Sequence, residues 1–218
     1  MRRRFFIIAI LATAWLGVPQ PSWSQGTIAY YQPATPILLW SQGFAEFYPL
    51  DFDGDGTPDF TFAYSFIFLG VHSEGLNRIL ILMDPPPNIG GYIAPLPAGF
   101  LIGNGSSLEP LNWWTGFDGD MDSFDPLAIY YNGVASGAFA GQRAYMGVEF
   151  QSSGNTYYGW ALLQISGDYA AIGAIESWAW ETRPGEPIFA GAVPEPETWM
   201  LTVIAGLTLT LVRWIRKP

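Results

Sequence analysis

The sequence predicts an all-β fold: an antiparallel β-sandwich of jelly-roll-like build over residues 25–192, flanked by an N-terminal export signal and a C-terminal hydrophobic helix. Three observations carry that prediction. Between the two ends, apolar residues alternate with period two, the repeat of a strand. Clusters of Gly, Pro, Asn and Asp interrupt them at short intervals. Aromatic residues make up 17 % of the chain against 13 % charged ones, enough ring volume to fill a core and too little charge for disorder.

Residues 1–24 have the three parts of a secretory signal. Arg2, Arg3 and Arg4 form a cationic start, residues 5–18 are apolar, and Pro19 and Pro21 break any helix that the run would propagate. Small residues at Ser22 and Ser24 place cleavage after Ser24. The apolar run is too short for a comfortable membrane span, which needs about 20 residues.

With the ends set aside, Arg78, Arg143 and Arg183 are the only cations between residues 25 and 193, and they face seventeen acids for a formal charge of −14. Such a field excludes nucleic acid and anionic lipid as partners and favours divalent cations wherever the acids converge. The chain has no cysteine, so the exported body relies on its core, not on disulfides. His72 is the only histidine, which disfavours a zinc site and forces any Ser-His-Asp mechanism through that residue.

The strands follow in order. "GFAEFYPL" is the first. "DFTFAYSFIFLG" reads as one strand with Phe60, Phe62, Tyr64, Phe66 and Phe68 on a single face. "NRILILM", "LAIYYNG", "RAYMGVEFQ", "TYYGWALLQIS" and "YAAIGAIESWAW" complete the set, separated by turns such as "DPPPNIGG" and "SSGN". Tyr158, Trp160 and Leu162 are expected to meet Ile172, Ala174 and Trp178 across the core. No segment of the body combines a capping signal with ten residues of helical period.

In "DFDGDGTPDF", Asp51, Asp53, Asp55 and Asp59 stand at relative positions 1, 3, 5 and 9, with Gly56 at 6. Alternate carboxylates in a tight loop converge their oxygens, and oxygen-only donors select calcium. Phe62 stands where an EF-hand has its bidentate glutamate, and a strand follows where that motif has a helix. The stretch resembles instead the short calcium loops of extracellular repeat and surface proteins. A weaker second loop, "FDGDMDSFDP", offers Asp118, Asp120, Asp122 and Asp125 but lacks the glycine at the turn.

Catalysis finds little footing. Glu149 and Glu176 are the only acids in apolar strand contexts, and a glycosidase would need them about 5 to 10 Å apart. Solvated strand positions are the favoured reading of both. His72 reads as a surface histidine in the loop "GVHSEGLN", and no nucleophile elbow, phosphate loop or dinucleotide motif occurs. The chain is therefore expected not to be an enzyme. Trp113 and Trp114, in what reads as a polar loop, offer a sugar-stacking pair, with core filling as the competing role.

The C-terminal segment, residues 193–218, is the most specific feature. Pro194, Glu195 and Pro196 in "VPEPETW" precede an apolar run over residues 199–212, and Arg213, Arg216 and Lys217 close the chain. This order closely resembles the PEP-CTERM sorting signal of Gram-negative exported proteins. The resemblance implies recognition and cleavage by the membrane enzyme exosortase, transient anchoring in the inner membrane, and delivery to the cell surface or to an extracellular polysaccharide and biofilm matrix. "YYGWALLQIS" and "ESWAWETRPGEPIFAG" also resemble the domain end that recurs before such tails, with Trp180 where tyrosine is usual. Residues 200–212 span only about 20 Å as a helix, against about 30 Å of hydrocarbon, which suits a transient substrate better than a permanent anchor. The resemblance implies a structural or adhesive role. The alternative is a displayed carbohydrate-binding module or sandwich-fold glycosidase.

Overall fold

A computed structural model describes residues 28–83, 91–107, 110–115, 124–131, 134–167 and 172–194. The signal segment, Asp118, Asp120 and Asp122 of the second acidic loop, Glu195 and Pro196, the apolar C-terminal run and its basic stub lie outside them. Among the described residues there is no α-helix, and none long and apolar enough to cross a membrane.

The chain runs through β1 (Ile28–Tyr31), β2 (Ile37–Leu39), β3 (Glu46–Leu50), β4 (Phe60–Tyr64) and β5 (Phe68–Ser73). It continues through β6 (Arg78–Met83), β7 (Gly91–Ile93), β8 (Leu101–Ile102), β9 (Leu111–Trp114) and β10 (Asp125–Tyr131). The last elements are β11 (Val134–Ser136), β12 (Arg143–Ser152), β13 (Asn155–Ile165), β14 (Gly173–Glu181) and β15 (Ile188–Phe189).

All ladders are antiparallel. The larger sheet has the order β1-β14-β13-β12-β6-β7, with β2 also on β14 and β9 also on β6. The smaller is β11-β10-β5-β4-β3, and β15 pairs β8 in a two-stranded piece. Successive strands mostly stay in one sheet as hairpins, so the order is built from meanders and not from the sheet-to-sheet alternation of a jelly roll.

One apolar cluster joins the two larger sheets. Phe60, Phe62, Leu69, Val71 and Leu127 come from the smaller, and Ile79, Ile81, Met146, Val148, Phe150, Leu163 and Ile175 from the larger. A second cluster lies on the other face of the larger sheet, where Leu80, Trp113, Tyr158, Trp160 and Leu162 pack with Leu96, Ile102, Ile188 and Ala190. Strand β13 is therefore buried on both faces, which is why "YYGWALL" runs apolar without alternating with polar residues.

Two sequence expectations are corrected here. Tyr158, Trp160 and Leu162 do not face Ala174 and Trp178 across a core. Strands β13 and β14 are neighbours in one sheet, and Trp178 turns to the first cluster while the other three turn to the second. The aromatic run from Phe60 to Phe68 is not one strand but the β4–β5 hairpin. Tyr64 pairs Leu69, Ser65 N–H donates to Phe68 O (2.8 Å), and Phe66 and Ile67 form the exposed tip. Period two survives through a two-residue loop, so alternation alone does not reveal it.

The β12–β13 turn is the one the sequence signals clearly. Ser152 pairs Asn155, and Ser153 (φ 51°) and Gly154 (φ 77°) both take the left-handed conformation of a type I′ turn. A Cβ at Gly154 meets no neighbour, so Gly154→Ala isolates the conformational penalty. The expected loss is about 1 kcal/mol, read as a lower denaturant midpoint at unchanged m.

Candidate functional site

The acidic loop between β3 and β4 is organised by its own backbone. Asp51 accepts N–H bonds from Gly54 (2.7 Å, on Oδ1) and Gly56 (2.8 Å, on Oδ2). Asp53 accepts from Asp55 N–H (3.1 Å) and Asp55 from Thr57 N–H (2.7 Å). Gly54 (φ 79°) and Gly56 (φ 92°) supply the left-handed bends that let these bonds close.

The loop is also fixed to the body at both ends. Phe52 turns inward, its ring centroid 5.5 Å from Phe60 and 5.7 Å from Phe150. Its N–H donates to Asp59 Oδ2 (2.8 Å), across the loop. Asn77 Nδ2 donates to Asp59 O (3.1 Å) and Oδ1 (3.2 Å), while Asn77 Oδ1 accepts from Gln151 N–H (2.8 Å) on β12. Asn77 thus couples the acidic loop in one sheet to the longest hairpin of the other. Sequence reasoning missed it because a lone asparagine before an apolar strand looks like ordinary turn chemistry.

Carboxylate oxygens of Asp51, Asp53 and Asp59 lie within 4.8 Å of one another. Two oxygens in one calcium shell sit at most about 5 Å apart, since each is about 2.3 to 2.6 Å from the ion. The trio therefore fits a common hard cation, and each oxygen that accepts an amide keeps a second lone pair. Asp55 stands outside this trio, so three of the four acids predicted from spacing converge.

Burial pushes Asp59 up to about 6, with the Asp53 and Asp51 charges adding to the rise and the Phe52 and Asn77 hydrogen bonds opposing it. An acid held that way is a poor lone anion and a good ligand for a cation that offsets its neighbours. Asp125, the one described acid of the second loop, is buried on β10. Its burial likewise pushes it up to about 6, while the His72 charge and a hydrogen bond with Trp114 pull it back. His72 itself sits on β5, half-buried and 5.7 Å from the Phe124 ring, and not in a surface loop.

The tryptophan pair is a correction. Trp113 and Trp114 are adjacent on strand β9, not in a polar loop, so they point to opposite faces. Trp113, 9 % exposed, packs in the second cluster near Tyr158, and Trp114 packs against the first. They form no common platform for a sugar ring.

Nor do the two glutamates form a cleft. Glu149 is buried, its carboxylate gripped by Arg78 through Nε (2.7 Å) and Nη2 (2.6 Å). Glu176 is held by Arg143 Nη2 (2.6 Å). Glu149 pairs Tyr158, whereas the β14 residues flanking Glu176 pair Leu162 and Leu163. That offset, about 13 to 16 Å at 3.3 Å per residue, adds to two strand spacings and exceeds the reach of a sugar cleft.

The chain matches no protein-family model, no curated protein and no solved structure.

Proposed function

We propose that this chain is an exported β-sandwich protein, sorted to the cell surface or extracellular matrix through a PEP-CTERM-type tail and acting there without catalysis, as a structural or adhesive component. Its first partner is an exosortase-type processing enzyme in the inner membrane, and its later setting is extracellular polysaccharide. Calcium at Asp51, Asp53 and Asp59 rigidifies the loop that ties the two sheets together.

The observation that carries this reading is the order of features at the C-terminus: the Pro194-Glu195-Pro196 motif, the apolar run and the basic stub, in a chain whose residues 1–24 read as an export signal. The seam supports it. Among the described residues, the last backbone bonds are Ala190 N–H to Phe100 O (2.8 Å) and Ala192 N–H to Phe189 O (2.9 Å), and the motif starts at Pro194, two residues further on. Proline-flanked extended backbone is also the form in which a protease takes its substrate.

Mass spectrometry of the mature C-terminus, in cells with and without the sorting enzyme, tests it. The expected result is loss of residues beyond the motif only where the enzyme is present. An intact Pro218 in enzyme-containing cells overturns the reading.

A further inference from the structure

The body releases its tail beside an apolar patch. Phe189 is the cross-strand partner of Leu101, and a turn closed by Ala192 N–H to Phe189 O (2.9 Å) leads the chain on to Val193. Leu101, Phe189 and Val193 are 47 %, 55 % and 48 % exposed, while Ile102, Ile188 and Ala190 between them are buried in the second cluster. The two-stranded piece therefore turns one row of side chains to the body and the other outward. Residues 99–103 and 187–194 contain no charged side chain and are bordered by Glu186 and Glu195, in a body whose formal charge is −14.

Three half-exposed apolar groups are not unusual by themselves. The sequence that follows gives them an occupant. Residues 194–198 separate Val193 from Trp199, where the apolar run starts. Even fully extended they reach at most about 20 Å, half of the roughly 40 Å diameter expected of a body this size. Once the run is inserted, the body cannot turn its far side to the bilayer, and the exit face is the one that meets it.

We propose that the Leu101–Phe189–Val193 patch docks the folded body onto the lipid surface into which the tail inserts, an inference that rests on reading residues 199–212 as membrane-inserted. A patch this small would not bind lipid from free solution. Tethered by so short a linker, it works at a high effective concentration and needs little affinity. Its freedom from charge matters more than its size, because the acidic remainder is repelled by anionic headgroups.

The absence of cysteine makes the test direct. Single-cysteine variants Phe189→Cys and Val193→Cys, with Leu76→Cys as a control on the exposed turn between β5 and β6, are labelled with an environment-sensitive fluorophore. The chain from Gln25 to Pro218 is then reconstituted into phosphatidylcholine vesicles containing anionic phosphatidylglycerol and a lipid-bound quencher. Labels at 189 and 193 are expected to be quenched at least about threefold more than at 76, and Leu101→Ser is expected to reduce the difference. Equal quenching at all three positions, in chain that floats with the vesicles, overturns the docking and leaves the inserted tail standing. Disulfide-linked dimers of the unlabelled Phe189→Cys variant on the vesicles would assign the patch to a second copy and overturn it as well. Chain that does not float overturns the inserted-tail reading and the docking with it.

Discussion

Arg78→Met is expected to lower the unfolding free energy by about 3–5 kcal/mol, and Glu149→Gln by only about 1–2 kcal/mol, although both break the same ion pair. The asymmetry follows from where the two charges sit. Side-chain exposure is 36 % for Arg78 and 3 % for Glu149. Without Glu149, the guanidinium still reaches water and lies over the Trp113 ring, 5.8 Å from its centroid. Without Arg78, the carboxylate stays under the second cluster with Tyr158 as its remaining partner, and a buried unpaired anion is among the most destabilising defects.

Position amplifies the loss. Arg78 and Glu149 are register partners, and with Val148 and Ile79 they make up the whole β12–β6 ladder. That ladder connects the long β12–β13–β14 meander to the part of the sheet that carries β7 and β9. Thermal melts of both single variants, and of Arg78→Met with Glu149→Leu, check the argument. Equal losses from the two single changes would sink it, and the double variant is expected to regain most of the stability lost in Arg78→Met.

What was legible in the sequence was whatever a local repeat encodes. The long strands β12, β13 and β14 announce themselves by length and residue type, and the Ser153–Gly154 turn by its chemistry. Strand assignment to faces was not legible. The larger sheet is covered on both sides, so Trp113, Trp160 and Trp178 all read alike until the cover from β8 and β15 is known. That cover comes from two-residue strands about ninety positions apart, too short to show any period. The site divides the same way. Loop spacing grouped Asp51, Asp53, Asp55 and Asp59, because the local turns made by Gly54 and Gly56 fold Asp51 back on the loop, but it did not show that Asp55 stays out or that Asp59 is held by Phe52 and Asn77. It said nothing of Asn77 or Gln151, whose contact with the loop exists only once the sheets are assembled, nor of Arg78 as the partner of Glu149.

The same assembly makes the acidic loop a stability switch, with a sign that can be worked out. Asp59 lies at about 6 in the fold, against 3.8 as its ordinary value. A raised carboxyl binds its proton more tightly folded than unfolded, so the metal-free protein loses stability as pH rises from about 4 to about 6 and does not regain it above. The shift favours the protonated fold by at most about 3 kcal/mol, and by less where water screens the site, and Asp125 contributes with the same sign. Calcium bound as proposed at Asp51, Asp53 and Asp59 needs the ionised carboxylates and offsets their repulsion, so it is expected to oppose this loss and to act most strongly near pH 7. At a hundredfold excess over its dissociation constant the expected gain is about 2.7 kcal/mol, or roughly 5–10 °C in Tm for a body of this size. Melts with and without chelator between pH 4 and pH 7 read both effects. Asp59→Asn is expected to remove part of the metal-free pH slope, leaving the share of Asp125, and to abolish the calcium shift. Asp55→Asn separates geometry from spacing. The linear pattern counts Asp55 as a ligand, the converged trio excludes it, and the shift is expected to survive its loss. An unchanged Tm at millimolar calcium would remove the metal from the reading. Abolition of the shift by Asp55→Asn would instead mean that the loop closes around the ion with a different set of acids.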